Sequence, residues 1–404
     1  MRVVLFTGKG GVGKTTTAAA TAVHAARAGI KTLVLSTDAA HSLGDALARP
    51  LGAVPEEVES GLFAQQIDPL ARVRGSWSGV RECVLGLLDQ LDVDPVEAEE
   101  LADLPGAEEV LALLELRDSS VAGPWELVVV DCAPTAETLR LLALPEVLGR
   151  FVERLLPMER RLARALAGGI APLLGHRGGT PVPRDHVVEA AQRLQTELAG
   201  VRSLLADPGT SIRLVLTPEA VAVAEALRSW TSLSLYGYVV DGVVVNRLFP
   251  DAGADDWRSG WVAAQAGRLA AIEESFGAVP VTRAPYAAVE PVGTDALADL
   301  GLEMYGYPGE DALSALLGPV EIQPALRVRW SGREFLLELD LPGACREEVD
   351  LSRRGEELVV QHGGRRRAIA LPSALRRCRV AGATLRDGVL GVTFTPDPDQ
   401  WRPS

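Results

Sequence analysis

Lysine is scarce in this chain of 404 residues: 40 of them are Lys or Arg, and only three of those are Lys. Two of the three, Lys9 and Lys14, lie in one glycine-rich stretch near the amino end, and Lys31 is the third. Lys and Arg are not interchangeable where a compact charge must fit between crowded phosphate oxygens. The composition therefore indicates a chemical reason for an ammonium group at positions 9 and 14.

Long apolar runs and paired cysteines are also missing. No uncharged apolar run approaches the ~18 residues of a membrane-spanning helix, and a strand that begins at Arg2 leaves no room for a secretory leader. Without a C-x-x-C pair, we expect neither zinc nor an iron–sulfur cluster. We expect a cytoplasmic protein with free thiols, at Cys83, Cys132, Cys345 and Cys378.

Charge is distributed unevenly, and this bears on the class of partner. Residues 1–321 contain 26 basic and 43 acidic residues, whereas residues 322–404 contain 14 and 11. An acidic main body repels a phosphate backbone, so we expect no nucleic-acid partner. The length and this asymmetry favour two domains, with a third not excluded.

Apolar runs alternate with helical patterns over the first 306 residues. β-rich runs occur at 3–6, 31–36, 125–131, 212–217, 238–246 and 279–283. This order predicts an α/β fold with a doubly wound, mostly parallel sheet. We place a nucleotide-binding domain at 1–306 with a helical insert at about 139–206, a Gly/Pro-rich linker at 307–323, and an all-β sandwich domain at 324–398.

The strongest chemical signal is G-x-x-x-x-G-K-T between the first strand and a helix. Backbone N–H groups of such a loop and the helix N-terminus bind phosphates, Lys14 reaches the β- and γ-phosphates, and the Thr15 hydroxyl binds Mg²⁺. The loop and its first helical residues are Gly8, Lys9, Gly10, Gly11, Val12, Gly13, Lys14, Thr15 and Thr16. The sequence therefore predicts that ATP and Mg²⁺ are the cofactors.

The sequence KGGVGKT also resembles the deviant loop of a group of dimeric P-loop ATPases. In that group the extra lysine, here Lys9, crosses the dimer interface and contacts the partner's phosphates. A charge supplied in trans acts as an arginine finger does. The resemblance therefore implies a homodimer in which Lys9 and Lys14 are both catalytic; a solvated loop cation is the alternative for Lys9.

Two further segments, STDAAHSLGD (36–45) and DCAPTAETLR (131–140), resemble the switches of the arsenite-pump and tail-anchored-protein targeting ATPase family. That resemblance implies that Asp38 orients or deprotonates the attacking water and that Asp131 holds Mg²⁺ through water. Asn246 matches the asparagine that hydrogen-bonds adenine, and Pro285 lies in a stretch similar to the loop that covers the base. Either Asp could instead cap a helix or turn.

Three departures and two ambiguities qualify the resemblance. Ala39, Ala136 and Glu137 replace the family's Pro and Gly-His, which predicts slow or differently gated turnover. The insert carries apolar residues at helical spacing, which fits either a groove for client helices or ordinary core packing. In the tail, LDLPG (339–343) and AGATLRDGVLGVTF (381–394) resemble the α-crystallin domain of small heat-shock proteins, which fits client binding or a structural appendage.

These observations predict a homodimeric Mg²⁺-ATP hydrolase that binds and releases a protein client, in particular a hydrophobic or membrane-protein segment. The nearest alternative is the ATPase subunit of an arsenite or other metalloid efflux pump, although its thiol ligands lack a match. A partition ATPase, an iron–sulfur carrier and a chaperone that barely hydrolyses ATP are weaker alternatives.

Overall fold

The computed structural model of the chain describes residues 1–38, 42–67, 107–133, 196–251, 253, 255–277, 279–307, 326–330, 332 and 334–398. These residues form an α/β unit around one eight-stranded sheet and a carboxyl-terminal unit of two antiparallel sheets. In this part of the chain, no helix is both long and apolar enough to span a membrane.

The eight-stranded sheet has the order β3-β4-β2-β5-β1-β6-β7-β8, and only β3 is antiparallel to its neighbour. Its strands are β1 Arg2–Thr7, β2 Thr32–Ser36, β3 Glu56–Glu59, β4 Leu62–Gln66, β5 Leu127–Asp131, β6 Thr210–Leu216, β7 Val240–Leu248 and β8 Val281–Pro285. The parallel strands all end at one edge, where ligands bind in open α/β sheets.

Both faces of this sheet are covered, because its central strands are apolar throughout. In β1, Val3 and Leu5 face one core, whereas Val4 and Phe6 face the other. The covering helices are α1 Lys14–Arg27, α2 Ser42–Ala46, α3 Ala107–Ala122, α4 with its described part at 196–205, α5 Ala220–Tyr236, α6 Asp256–Phe276 and α7 Thr294–Tyr305. The predicted doubly wound, mostly parallel sheet is therefore confirmed.

The carboxyl-terminal unit is a β-sandwich, as the sequence predicts. Four strands pair in the order β14-β15-β10-β9 and three in the order β11-β12-β13, and side chains of both sheets share one core. The strands are β9 Leu326–Trp330, β10 Phe335–Asp340, β11 Val349–Arg354, β12 Glu357–His362, β13 Arg365–Ala370, β14 Cys378–Arg386 and β15 Val389–Pro396, with a short helix α8 at Ser373–Arg376.

The sandwich packs against the carboxyl-terminal half of α5. Leu235 on this helix is fully buried and belongs to the sandwich core. The Thr231 hydroxyl donates to the carbonyl of Pro342 at 2.5 Å, and the Arg367 guanidinium donates to the carbonyl of Leu235. An arginine at the last carbonyls of a helix also complements the helix dipole.

The predicted domain limits remain predictions. Of the helical insert, residues 139–195 lie outside the described residues, so the groove and the core-packing interpretations both stay open. Most of the linker at 307–323 also lies outside them.

Candidate active site

The predicted phosphate loop connects β1 directly to α1, which is the context that the motif requires. A Cβ at Gly8 would lie 2.1 Å from the carbonyl oxygen of Val215, and Gly13 has a φ of 89°. Both positions therefore need glycine, the first for close approach and the second for a left-handed backbone. Successive backbone N–H groups in a loop of this kind can bind an anion.

The two loop lysines occupy different environments. Lys14 is buried, and its Nζ donates to the backbone carbonyl of Lys9 at 3.4 Å, so the side chain folds back along the loop. The Lys9 side chain is exposed. Lys14 is thus placed to contact a phosphate bound in its own loop, and an exposed Lys9 is accessible to a second molecule. The assignment of Lys9 to a partner's phosphates stays a prediction.

Thr15 and Asp131 are brought together although 116 positions separate them. The Thr15 hydroxyl donates to Oδ2 of Asp131 at 2.9 Å and lies 3.0 Å from the hydroxyl of Ser42. Ser36 donates to the same Oδ2 at 3.2 Å. Four oxygen-bearing side chains therefore converge where β2 and β5 end.

The second oxygen of Asp131 makes this cluster suitable for a cation. Oδ1 is buried and has no hydrogen-bond partner among the described residues. Burial raises the pKa of Asp131 to about 6, while the hydrogen bond from Thr15 and the charge of Lys14 lower it. A carboxylate that the fold leaves unsatisfied fits a hard divalent cation such as Mg²⁺. Thr15 and Asp131 are the residues that would hold it.

Asp38 follows the end of β2, two residues beyond Ser36. Its backbone N–H donates to the Ser36 hydroxyl at 3.1 Å, and its carbonyl accepts from Nε2 of Gln66 at 2.9 Å. The negative charge of Asp38 raises the pKa of Asp131, so the two carboxylates lie in the same region. The structure thus places Asp38 beside the cation cluster, and its action on water stays a prediction. Ala39, Ala136 and Glu137 lie outside the described residues.

Asn246 has a contact that the sequence does not reveal. Its Nδ2 donates to the carbonyl of Val12 at 2.9 Å, and its Oδ1 accepts from the N–H of Arg247. A Cβ at Gly13 would lie 2.3 Å from that Nδ2. The amide of Asn246 therefore holds the phosphate loop in this structure, and its predicted contact with adenine stays a prediction.

Pro285 ends β8 and pairs with Leu248 at the end of β7, which places it near Asn246. The next residue, Tyr286, is half exposed and stacks on Phe249 with the ring centres 5.3 Å apart. Sequence reasoning missed this aromatic pair. It also missed Gln66, and it missed Ser36 and Ser42, although both serines lie in the segment 36–45 that it singled out.

Cys132 follows Asp131 directly, and its environment argues against metal or redox chemistry. The thiol is buried and free, and burial raises its pKa well above the ordinary value. A thiol of this kind is inert, because the thiolate is the reactive and metal-binding form.

Comparisons with known proteins cover nearly the whole chain. The family model described as anion-transporting ATPase matches residues 1–306, and the model described as an HSP20-like domain found in ArsA matches residues 332–394. The chain is 44% identical to an uncharacterized protein of Streptomyces coelicolor over 403 residues, 99% of each chain.

Two further relatives are named as ATPases. A putative arsenical pump-driving ATPase of Chlorobaculum tepidum is 33% identical over 98% of this chain and 96% of its own length. The ATPase GET3B of Arabidopsis thaliana is 32% identical over 61% of this chain and 64% of its own length. The chain therefore belongs to the anion-transporting ATPase family, and it is an ATP hydrolase with an HSP20-like domain at its carboxyl end.

Proposed function

We propose that this ATPase works as a Mg²⁺-dependent homodimer that couples ATP hydrolysis to the binding and release of a protein client, in particular a hydrophobic or membrane-protein segment. The proposed mechanism of ATP hydrolysis rests on one observation, the cluster of Thr15, Asp131 and Asp38 beside the phosphate loop. The exposed side chain of Lys9 supports the homodimer, because it leaves the ammonium group available to a partner.

Different residues of this chain have different roles in ATP hydrolysis. Lys14 and the loop N–H groups bind the phosphates, and Thr15 and Asp131 hold Mg²⁺, which neutralises charge on the phosphate oxygens when bound. Asp38 orients the attacking water or accepts its proton. Lys9 of the partner subunit supplies positive charge as the γ-phosphate leaves.

The carboxyl-terminal sandwich supports a role in client binding. In the described part of the chain, β9 and β14 are the outer strands of the four-stranded sheet. They expose apolar side chains at Val328, Trp330 and Val380, which are 41%, 52% and 42% exposed. Outer strands with apolar side chains are surfaces on which other chains pair. The name of the Arabidopsis relative, ATPase GET3B, states ATPase activity and no client.

The names of several relatives, which call them putative arsenical pump-driving ATPases, favour a second candidate, the ATPase of an arsenical pump. Steady-state hydrolysis with and without arsenite separates the two candidates, because a pump subunit should be stimulated by the metalloid. Affinity capture with the Asp38→Asn variant held in ATP tests the client directly. Recovery of membrane-protein segments supports targeting, and a set of soluble, aggregation-prone proteins supports general holding. Stimulation by arsenite without any captured client would overturn the proposal in favour of the pump.

A further inference from the structure

Three parallel strands end in one row beside the cation cluster. Strand β2 pairs with β4 on one side and with β5 on the other, and its last residue, Ser36, is in register with both Gln66 and Asp131. The row therefore begins at the carboxylate that would hold the cation and ends two strands away, at Gln66.

Ser36 links the middle of this row to the backbone of Asp38. Its buried hydroxyl donates to Oδ2 of Asp131 at 3.2 Å and accepts the N–H of Asp38 at 3.1 Å. One hydroxyl thus connects the candidate metal ligand to the peptide that carries the candidate water-orienting carboxylate.

Gln66 holds the same residue from its other side. Its Nε2 donates to the carbonyl of Asp38 at 2.9 Å, and its side chain is only 3% exposed. Its Oε1 is buried without a hydrogen-bond partner among the described residues. A buried side-chain amide whose oxygen has no hydrogen-bond partner destabilises the folded state. Among the described residues, the hydrogen bond to the carbonyl of Asp38 is the one bond of this side-chain amide that offsets the cost.

We propose that Gln66 is a positioning residue for ATP hydrolysis, which holds the peptide of Asp38 against Ser36 so that the Asp38 carboxylate keeps its place beside the Asp131 site. This inference rests on the proposed role of Asp38. In this role Gln66 acts through the backbone of Asp38. Small displacements of a catalytic group can cost up to about 100-fold in rate. Loss of the single hydrogen bond from Gln66 to Asp38 is therefore enough to slow ATP hydrolysis measurably.

The neighbouring residue supplies a matched control. Gln65 is also buried, and its Oε1 also lacks a partner among the described residues. Its Nε2 donates to the backbone carbonyl of Ala53 at 2.8 Å and to Oε1 of Glu115 at 3.3 Å. The alternation of the strand turns it away from Asp38. Gln65→Leu and Gln66→Leu therefore both remove a buried amide with an unpaired Oε1, and Gln65→Leu removes one hydrogen bond more. Only Gln66→Leu releases Asp38.

The test compares kcat, KM for ATP and thermal unfolding of the two variants in the full-length protein. We expect Gln66→Leu to lower kcat by about 10- to 100-fold with KM changed less than about twofold, while Gln65→Leu keeps the wild-type kcat. Gln66→Met, which keeps the side-chain length without the donor, should behave as Gln66→Leu does. If the Gln66→Leu protein does not fold, Gln66→Met is compared with Gln65→Leu instead.

A double-mutant cycle with Asp38→Asn shows whether Gln66 acts through Asp38. If it does, Gln66→Leu should cost nothing further in the Asp38→Asn background, because the two changes remove one interaction. Additive losses, or equal kcat values for the Gln65 and Gln66 variants, would overturn the inference. An Asp38→Asn protein that hydrolyses ATP as the wild type does would instead remove Asp38 from catalysis, so failure of the proposed function remains distinguishable.

Discussion

The side-chain amide of Asn246 donates to the carbonyl of Val12, so the end of β7 holds the phosphate loop that follows β1. We expect Asn246→Ala to weaken ATP and GTP binding together, by about tenfold, because a loop carbonyl loses its partner. Isothermal titration with both nucleotides measures the effect. Gln265→Ala is the control, since that amide holds Arg247 and Phe249 and, within the described residues, has no hydrogen bond to the loop. A loss confined to ATP would assign the Asn246 amide to adenine instead.

Lys9 is exposed, and we expect Lys9→Arg to impair hydrolysis at least about tenfold although it preserves the charge. A planar guanidinium does not replace a compact ammonium between phosphate oxygens. Steady-state hydrolysis and sedimentation with ATP measure turnover and dimer closure.

Lys31→Arg is the control for Lys9→Arg. The Lys31 ammonium lies over the rings of Phe63 and Trp125, at 5.4 and 5.9 Å from the ring centres, and arginine makes the same kind of contact. Wild-type kinetics for Lys9→Arg would contradict the role of Lys9 in trans.

We expect the Asp131 carboxylate to make the nucleotide-free protein less stable at neutral pH. Burial raises the pKa of this carboxyl in the folded state to about 6. The stability that the protonated form contributes is complete below the unfolded-state pKa of about 3.9 and is lost as pH rises through about 6. Without Mg²⁺ and nucleotide, Asp131→Asn should therefore unfold at a higher temperature than the wild type at neutral pH, and this difference should shrink toward pH 4.

With Mg²⁺-ATP, the wild type should unfold at a higher temperature than Asp131→Asn, because only the wild-type carboxylate can bind the cation. Thermal unfolding from about pH 4 to pH 8, with EDTA or with Mg²⁺-ATP, gives both comparisons. The control is Asp299→Asn on the exposed face of α7. An Asp131→Asn protein that Mg²⁺-ATP stabilises as much as the wild type would argue against Asp131 as a metal ligand.

Leu235 belongs to a helix of the ATPase sheet and to the core of the sandwich. We expect Leu235→Ala to lower the free energy of unfolding by about 2–5 kcal/mol, and to speed amide hydrogen exchange in both α5 and β13. Val221→Ala, at an exposed position of the same helix, is the control. Faster exchange in α5 alone would show that the stability of the sandwich does not depend on its packing against this helix.

The parts of the site that could be predicted from the sequence are those that depend on local order along the chain. The phosphate loop follows from eight contiguous residues between a strand and a helix, and Asp38 and Asp131 follow from the resemblance of residues 36–45 and 131–140 to the switch segments of the ATPase family. The bond from Thr15 to Asp131 and the row that joins Gln66, Ser36 and Asp131 could not be predicted. They depend on which strands become neighbours and in what register, and this is settled by crossovers that span many residues.

The sequence by itself determined the fold class, the phosphate loop, the family and the presence of a second, all-β domain. Each of these follows from periodicity or from contiguous motifs, which act over a few residues. Only the tertiary structure decided that Asn246 supports the loop, that Asp38 is held from both sides, and that the sandwich takes Leu235 of the ATPase into its core. These contacts join residues far apart in the chain, so they form only when the sheet and its helices have packed.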